Sequence, residues 1–251
     1  MKRIDSVKNE QVKHWKKLHT RKGREKAGRF LIEGYHLVEE ALKSVIEVEW
    51  VLHTETATIP ASWKASERDY IIVSDQVMKE LSETETPQGI AAICVLPQEP
   101  LFTELKGQFL ILDRVQDPGN LGTMIRTADA AGVTGVILGE GTVDVFNSKV
   151  IRASQGSMFH LPVIRGDVLE WIERFKGVGI PVFGTALQDA SSYTAIEPQP
   201  DYALIVGNEG EGVAPDLLAI TDQNIYVPIY GKAESLNVGV ATGILLYYLR
   251  G

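Results

Sequence analysis

Residues 109–139 read FLILDRVQDPGNLGTMIRTADAAGVTGVILG, and this stretch decides the architecture. FLILD (109–113) is an apolar run closed by an acid, the pattern of a strand buried on both faces. Pro118-Gly119 turns the chain, and Asn120 is a good N-cap for a helix beginning at Leu121. Leu121, Ile125 and Ala128 make the buried stripe of that helix, and Gly132 is placed to end it. GVILG (135–139) is the next strand. Strand, loop, helix and strand in this order is the unit of a parallel sheet. The same alternation continues with strands IPVFGTA (180–186), YALIVG (202–207) and IYVPI (225–229), and helices over 149–158, 168–176 and 237–249. The expected fold is α/β, a parallel sheet covered on both faces. Ligands of such sheets gather outside the carboxyl ends of the strands, which directs attention to the loops after residues 113, 186, 207 and 229.

Upstream the pattern differs. Val12, Trp15 and Leu18, then Leu37, Val38, Ala41 and Leu42, recur at helical spacing, and Val48–Leu52, Tyr70–Val73 and Ile90–Leu96 read as short strands. Pro97 and Pro100 punctuate the middle of the chain. This gives a small α/β domain over 1–96, a linker over 97–106 and a larger domain over 107–251. A chain of 251 residues with 44% hydrophobic and 23% charged residues has material for two such cores, which excludes disorder as its main state. The single cysteine, Cys94, excludes an intrachain disulfide scaffold and suits a reducing cytosol. The longest nearly apolar stretch, Val238 to Leu249, has 12 residues, short of the ~20 that a spanning helix needs, and the N-terminus lacks the apolar core of a signal peptide. The expected protein is cytoplasmic, with no membrane partner.

Charge is unevenly spread. The chain carries net −8, yet residues 1–30 hold eleven Lys/Arg and three acids, leaving −16 for the remainder. A basic segment on an acidic body suggests a surface that meets a polyanion; a solvated lysine-rich helix is the plainer alternative.

Several chemistries are excluded by inspection. No G-x-G-x-x-G follows the strand at 109–113, Gly231-Lys232 is followed by Ala233 rather than Ser or Thr, and there is neither H-E-x-x-H nor a cysteine pair. No metal site is expected. His160 is alone in the second half, so proton chemistry there is not expected to use histidine. What the loops do carry is unusual. Arg126 leaves the buried stripe of its helix together with Thr123 and Asp129, with which it could simply pair. GNEGEG (207–212) puts three glycines after a strand, letting backbone approach a ligand, while Glu209 disfavours phosphate and favours a cation or a hydroxyl donor. Lys232 and Glu234 occupy the loop after 229, and Ser235 and Asn237 stand at the mouth of the last helix, where either could be only a cap. That helix is apolar on more than one face, as expected of one buried deeply or against another subunit.

The three strings in this order resemble the SpoU (TrmH) ribose 2'-O-methyltransferases of the SPOUT superfamily. The family's N-x-x-x-x-x-R, G-N-E-G-x-G and S-L-N motifs stand here as Asn120…Arg126, Gly207-Asn208-Glu209-Gly210-Glu211-Gly212 and Ser235-Leu236-Asn237, over about residues 105–251. The resemblance implies a C-terminal trefoil knot, an exception to the rule that chains do not thread loops. It implies S-adenosylmethionine as methyl donor, bent in the knot and held by backbone at Gly207, Val227, Ile229 and Leu236 with Thr185 and Ala186 nearby. It also implies a homodimer and a catalytic set of Arg126, Asn120, Glu209, Ser235 and Asn237. The first half resembles the family's ribosomal-protein-like RNA-binding domain, which points to ribosomal RNA of the large subunit as substrate. The alternatives are a transfer-RNA 2'-O-methyltransferase and a non-catalytic RNA-binding or ribosome-assembly protein that keeps the fold. A dehydrogenase-type enzyme is disfavoured by the missing dinucleotide fingerprint.

Overall fold

Each run read above as a strand overlaps one in the computed structural model, which describes residues 2–65, 69–98, 102 and 104–251. Pro100, one of the two expected linker prolines, lies outside the described residues. The chain divides into two compact units, one of residues 1–98 with 146–159 and one of residues 99–145 with 160–251.

The first unit contains β1 (Lys2–Ile4), α1 (Glu10–Lys16), α2 (Arg21–Ala27), β2 (Arg29–Glu33), α3 (Tyr35–Lys43), β3 (Val48–His53), β4 (Asp69–Val73), α4 (Asp75–Leu81) and β5 (Ile90–Val95). Its five-stranded sheet has the order β1-β4-β3-β5-β2, with β5 antiparallel to both of its neighbours and the other pairs parallel. Trp15 and Leu18 pack with Ile71, Val77 and Leu81 in one core. Residues 146–159 join this unit although the chain reaches them only after β5 and two further strands. The reason is aromatic: Phe30 of β2 is fully buried, with ring centroids 4.8 Å from Phe146 and 6.3 Å from Phe159. Such pairs add ~0.5–1.5 kcal/mol to the area they bury.

The basic segment is not one uniform cationic face. Arg24 is buried and donates to the carbonyls of Leu18 and His19 at 2.8 and 3.0 Å, fastening the turn between α1 and α2. Arg3, Lys13, Lys16, Arg21 and Arg29 are ion-paired, to Glu55, Glu10, Glu80, Glu25 and Glu49. Lys8, Lys17, Lys22 and Lys26 are exposed and make no ion pair among the described residues.

The chain continues through β6 (Gln108–Leu112), α5 (Pro118–Ala131), β7 (Gly135–Leu138), α6 (Ser148–Ser154, in the first unit), β8 (Val163–Arg165), α7 (Val168–Gly177), β9 (Val182–Thr185), β10 (Ser191–Ser192), β11 (Tyr202–Val206), α8 (Pro215–Leu218), β12 (Gln223–Tyr226) and α9 (Val238–Arg250). The sheet of the second unit is parallel throughout, in the order β10-β12-β9-β11-β6-β7-β8. Phe109, Ile111, Ala203 and Ile205 meet Trp171 and Phe175 of α7 on one face, while α5 and α9 pack together on the other. Strand β6 sends its chain towards β7 on one side and pairs with β11 on the other. The loops that follow β6 and β11 therefore leave the sheet side by side, at the point where strand order reverses.

Two local expectations need correction, and a third is narrowed to one of its alternatives. The N-cap of α5 is Asp117, whose carboxylate accepts the Asn120 amide at 2.7 Å, and Pro118 takes the first helical turn. Asn120 is thereby inside the helix with its side chain free for other work. The strand expected over 225–229 ends at Tyr226, and residues 227–237 run irregularly to Asn237, the N-cap of α9. Finally, α9 is covered on one face alone within this chain: Leu245, Leu246 and Leu249 are buried, but Val240 and Tyr247 are more than half exposed.

Candidate active site

The loop after β11 is folded on its own backbone. Asn208 and Gly212 exchange a pair of backbone hydrogen bonds at 3.0 and 2.9 Å, and the Asn208 side chain accepts the amides of Gly210 and Glu211. A Cβ on Gly207 would lie 2.1 Å from the backbone of Gly212 and Val213, so only glycine fits there. The closed loop presents Glu209 to the chain leaving β6. Its Oε1 accepts from the Asp117 amide at 3.0 Å and from Asn120 Nδ2 at 3.1 Å, and its Oε2 accepts from the Gln116 amide at 3.2 Å. Partial desolvation pushes the Glu209 carboxyl up, but the bonds from Asn120 and the backbone amides outweigh it, and the group sits below its ordinary range. Where the sequence suggested a cation or a hydroxyl donor for Glu209, the structure supplies N–H donors.

Asn120 carries the network onward. Its Oδ1 accepts from Asn237 Nδ2 at 3.0 Å, and Asn237 Oδ1 in turn accepts the amides of Gly239 and Val240 at the start of α9. Glu209, Asn120 and Asn237, which come from three separate motifs, are one hydrogen-bonded relay. This chain fixes the amide orientations: Asn120 must donate to a carboxylate that can only accept, so its oxygen faces Asn237.

Arg126 lies two turns along α5 on an exposed face and has no hydrogen bond or ion pair among the described residues. The partner offered by spacing, Asp129, is taken by His160 instead, at 2.9 Å. Ser235 is exposed and likewise without a hydrogen bond among the described residues, so the relay includes neither Arg126 nor Ser235. Thr185 ends β9 and Ala186 follows it, Gly207 follows β11, and Val227, Ile229 and Leu236 are half-buried in the segment between β12 and α9. Along that segment no backbone amide from Ile229 to Leu236 donates a hydrogen bond among the described residues. Half-buried apolar side chains beside open backbone donors suit a flat heteroaromatic ring bearing hydrogen-bond acceptors. No group of three His, Cys, Asp or Glu side chains able to hold a metal occurs among the described residues.

A family model, the SpoU rRNA Methylase family, matches residues 107–247. The chain belongs to this family. A second model, the MRM3-like substrate binding domain, matches residues 9–92. Among curated relatives of this SpoU chain, the 23S rRNA (guanosine(2553)-2'-O)-methyltransferase RlmP of Bacillus subtilis strain 168 is 53% identical over 251 residues, all of both chains. Among solved structures, an AdoMet-bound rRNA methyltransferase from Sinorhizobium meliloti is 31% identical with a TM-score of 0.89, over 99% of this chain and 97% of that one. The A. aeolicus TrmH/SpoU tRNA modifying enzyme is 30% identical with a TM-score of 0.51, over 58% of this chain and 74% of that one.

Sequence reasoning missed Asp117 and Arg114. The first left a signal, since an Asp-Pro pair ahead of a helix places the acid at the cap and the proline at the first turn. Arg114 left none. It is a non-glycine residue at φ 55°, and nothing in its type announces that conformation.

Proposed function

We propose that this protein is an S-adenosylmethionine-dependent methyltransferase that modifies a ribose 2'-hydroxyl in 23S ribosomal RNA. The observation that carries the reading is the relay Glu209–Asn120–Asn237 together with Arg126 of the same helix as Asn120, which has no hydrogen bond or ion pair among the described residues. Such a relay fixes three loops at once while leaving one permanent cation free for a ligand. Likeness over the full length of a 23S enzyme, against 58% of this chain for a tRNA enzyme, supports ribosomal RNA as the acceptor.

When bound, S-adenosylmethionine supplies a methyl group on a positively charged sulfur. The residues of this chain do the rest. Backbone at Gly207, Val227, Ile229 and Leu236, with Thr185 and Ala186 beside it, would hold the donor. Arg126 cannot act as a base, because a guanidinium stays protonated at any working pH. It binds the phosphate beside the target ribose and stabilises the negative charge that grows on the 2'-oxygen as the proton leaves to water. Glu209, with its oxygens already engaged by N–H donors, is a scaffold rather than a proton acceptor. Asn120 and Asn237 keep α5 and α9 in register with it, and Ser235 contacts the ribose. Residues 1–96 bind RNA, 97–106 link, and 107–251 catalyse. The half-exposed Val240 and Tyr247 on α9 support a homodimer through that face, and the passage from β12 through the open 227–237 segment to α9 supports the family's knot. An rRNA acceptor makes the cytoplasm the working compartment.

The test is transfer of labelled methyl to total RNA from cells lacking the protein, followed by mapping of 2'-O-methyl sites. One site in 23S RNA is the expected result. Transfer to tRNA alone, or binding without transfer, would replace this reading with one of its alternatives.

A further inference from the structure

Arg114, the second residue after β6, turns back on itself. Its backbone is left-handed, a conformation that glycine or asparagine adopts at little cost and arginine does not. The side chain must therefore be what the position keeps. From that turn both ends of the residue face the loop after β11. Nη1 donates to Glu211 Oε2 at 2.7 Å, Nη2 to the Gly212 carbonyl at 3.4 Å, and the Arg114 carbonyl accepts from Asn208 Nδ2 at 2.9 Å. Asp113, buried beside it, accepts from Arg114 Nε at 3.3 Å and takes the Ala214 amide at 2.9 Å, which closes the far end of the loop. The stem of Arg114 lies against Gly141, where a Cβ would come within 3.2 Å of Arg114 Cγ.

We propose that Arg114 is a positioning residue for methyl transfer, pinning residues 208–214 so that Glu209 stays seated on Gln116, Asp117 and Asn120. The inference rests on the function proposed above. Glu209 lies between two pinned neighbours: Asn208 is held by the Arg114 carbonyl, and Glu211 and Gly212 by its guanidinium. Freed from the guanidinium, the 209–212 turn can lift away from α5, and the relay through Asn120 to Asn237 loses its anchor. The loss falls on alignment of α5 with the 207–214 loop, hence on kcat, rather than on the capture of RNA.

Arg114→Gly separates side chain from backbone, because glycine keeps the left-handed turn and the Asn208 bond. The expected result is a kcat about tenfold lower at unchanged KM for RNA, with a melting temperature lower by only a few degrees as buried Asp113 loses one of its partners. Hydrogen exchange at the amides of Gly210, Glu211 and Ala214 should be faster. Arg114→Lys should recover part of kcat through its single charge on Glu211. Arg114→Glu should be worse than Arg114→Gly, and adding Glu211→Arg should restore activity towards the wild type. Wild-type kcat in Arg114→Gly, or activity losses that merely track melting temperature across these variants, would overturn the proposal. The two levels of inference fail differently. Faster exchange with kcat intact sinks only the role of Arg114, whereas a wild-type chain inert on every RNA sinks the reading of function as well.

Discussion

The basic segment of residues 1–30 and the loops after β6 and β11 are both rich in charged and polar groups, yet they use them in opposite ways. In the first, most cations stand in water, singly or in surface pairs worth ~0–1 kcal/mol each. In the second, Glu209, Asn120 and Asn237 are joined one to the next by specific hydrogen bonds worth ~0.5–1.5 kcal/mol each, so that removing one residue releases more than one loop. A site assembled from exposed charges degrades in proportion to what is removed. A site assembled from a closed relay fails as a unit, whereas Arg126, proposed as the reactive side chain, makes no ion pair among the described residues.

That contrast can be broken by experiment, most severely at Arg126. Arg126→Lys keeps the charge but loses the planar fork, and kcat should fall by roughly 10²–10³, the scale of losing one oxyanion donor. S-adenosylmethionine affinity by calorimetry and the melting temperature should not move, since Arg126 makes no hydrogen bond or ion pair among the described residues. Near-normal turnover would remove it from the mechanism. Asn120→Ala should lower kcat about tenfold to a hundredfold and also destabilise the fold by ~1–3 kcal/mol in urea titrations, because Glu209 and Asn237 each lose a partner. A variant that loses activity at full stability would mean that the relay is not structural.

Within the basic segment the contrast can be sharpened on adjacent turns. Arg24→Ala should cost ~1–3 kcal/mol by stranding the carbonyls of Leu18 and His19, whereas Lys22→Ala should stay within ~0.5 kcal/mol. Replacing Lys8, Lys17, Lys22 and Lys26 together by Ala should flatten the salt dependence of RNA binding, the log–log slope falling by ~3 while the folded state is unchanged. An unaltered slope would assign the phosphate contacts elsewhere.

The smallest effect is in pH. The folded-state pKa of Glu209 is depressed, so its contribution to stability is complete above its unfolded value, near ~4.3, and is lost as pH falls through the folded value below it. Acid unfolding of Glu209→Gln should therefore be less steep below about pH 4 than that of the wild type, with the two curves parallel at neutral pH. Curves that diverge between pH 6 and 8 would show that the carboxyl titrates elsewhere.

The alternating half of the fold was legible because its strands are buried on both faces and read as unbroken apolar runs, as β6 and β11 do. Elements with mixed faces were harder: β2 reads RFLIE with alternating burial after a basic run, and α4 is a helix of about two turns signalled chiefly by its Ser74 cap. The residues of the relay were legible by type and order. Their bonding was not, since Asn120 as a cap and Asn120 as a bridge are the same letter, and only the position of Asp117 distinguishes them. The pairing of Asp129 with His160 joins residues 31 apart in sequence, beyond any local spacing rule.

Residues 146–159 have a consequence for synthesis. The ring of Phe30 is sealed by Phe146 and Phe159, so the N-terminal unit, whose last strand ends at Val95, cannot finish burying it until roughly sixty more residues have left the ribosome. At ~5–20 residues per second that is a wait of several seconds during which an aromatic pocket stays open on a nascent chain. A protein whose proposed substrate is ribosomal RNA thus emerges from the ribosome half-closed, with its first unit completed by a segment encoded within its second.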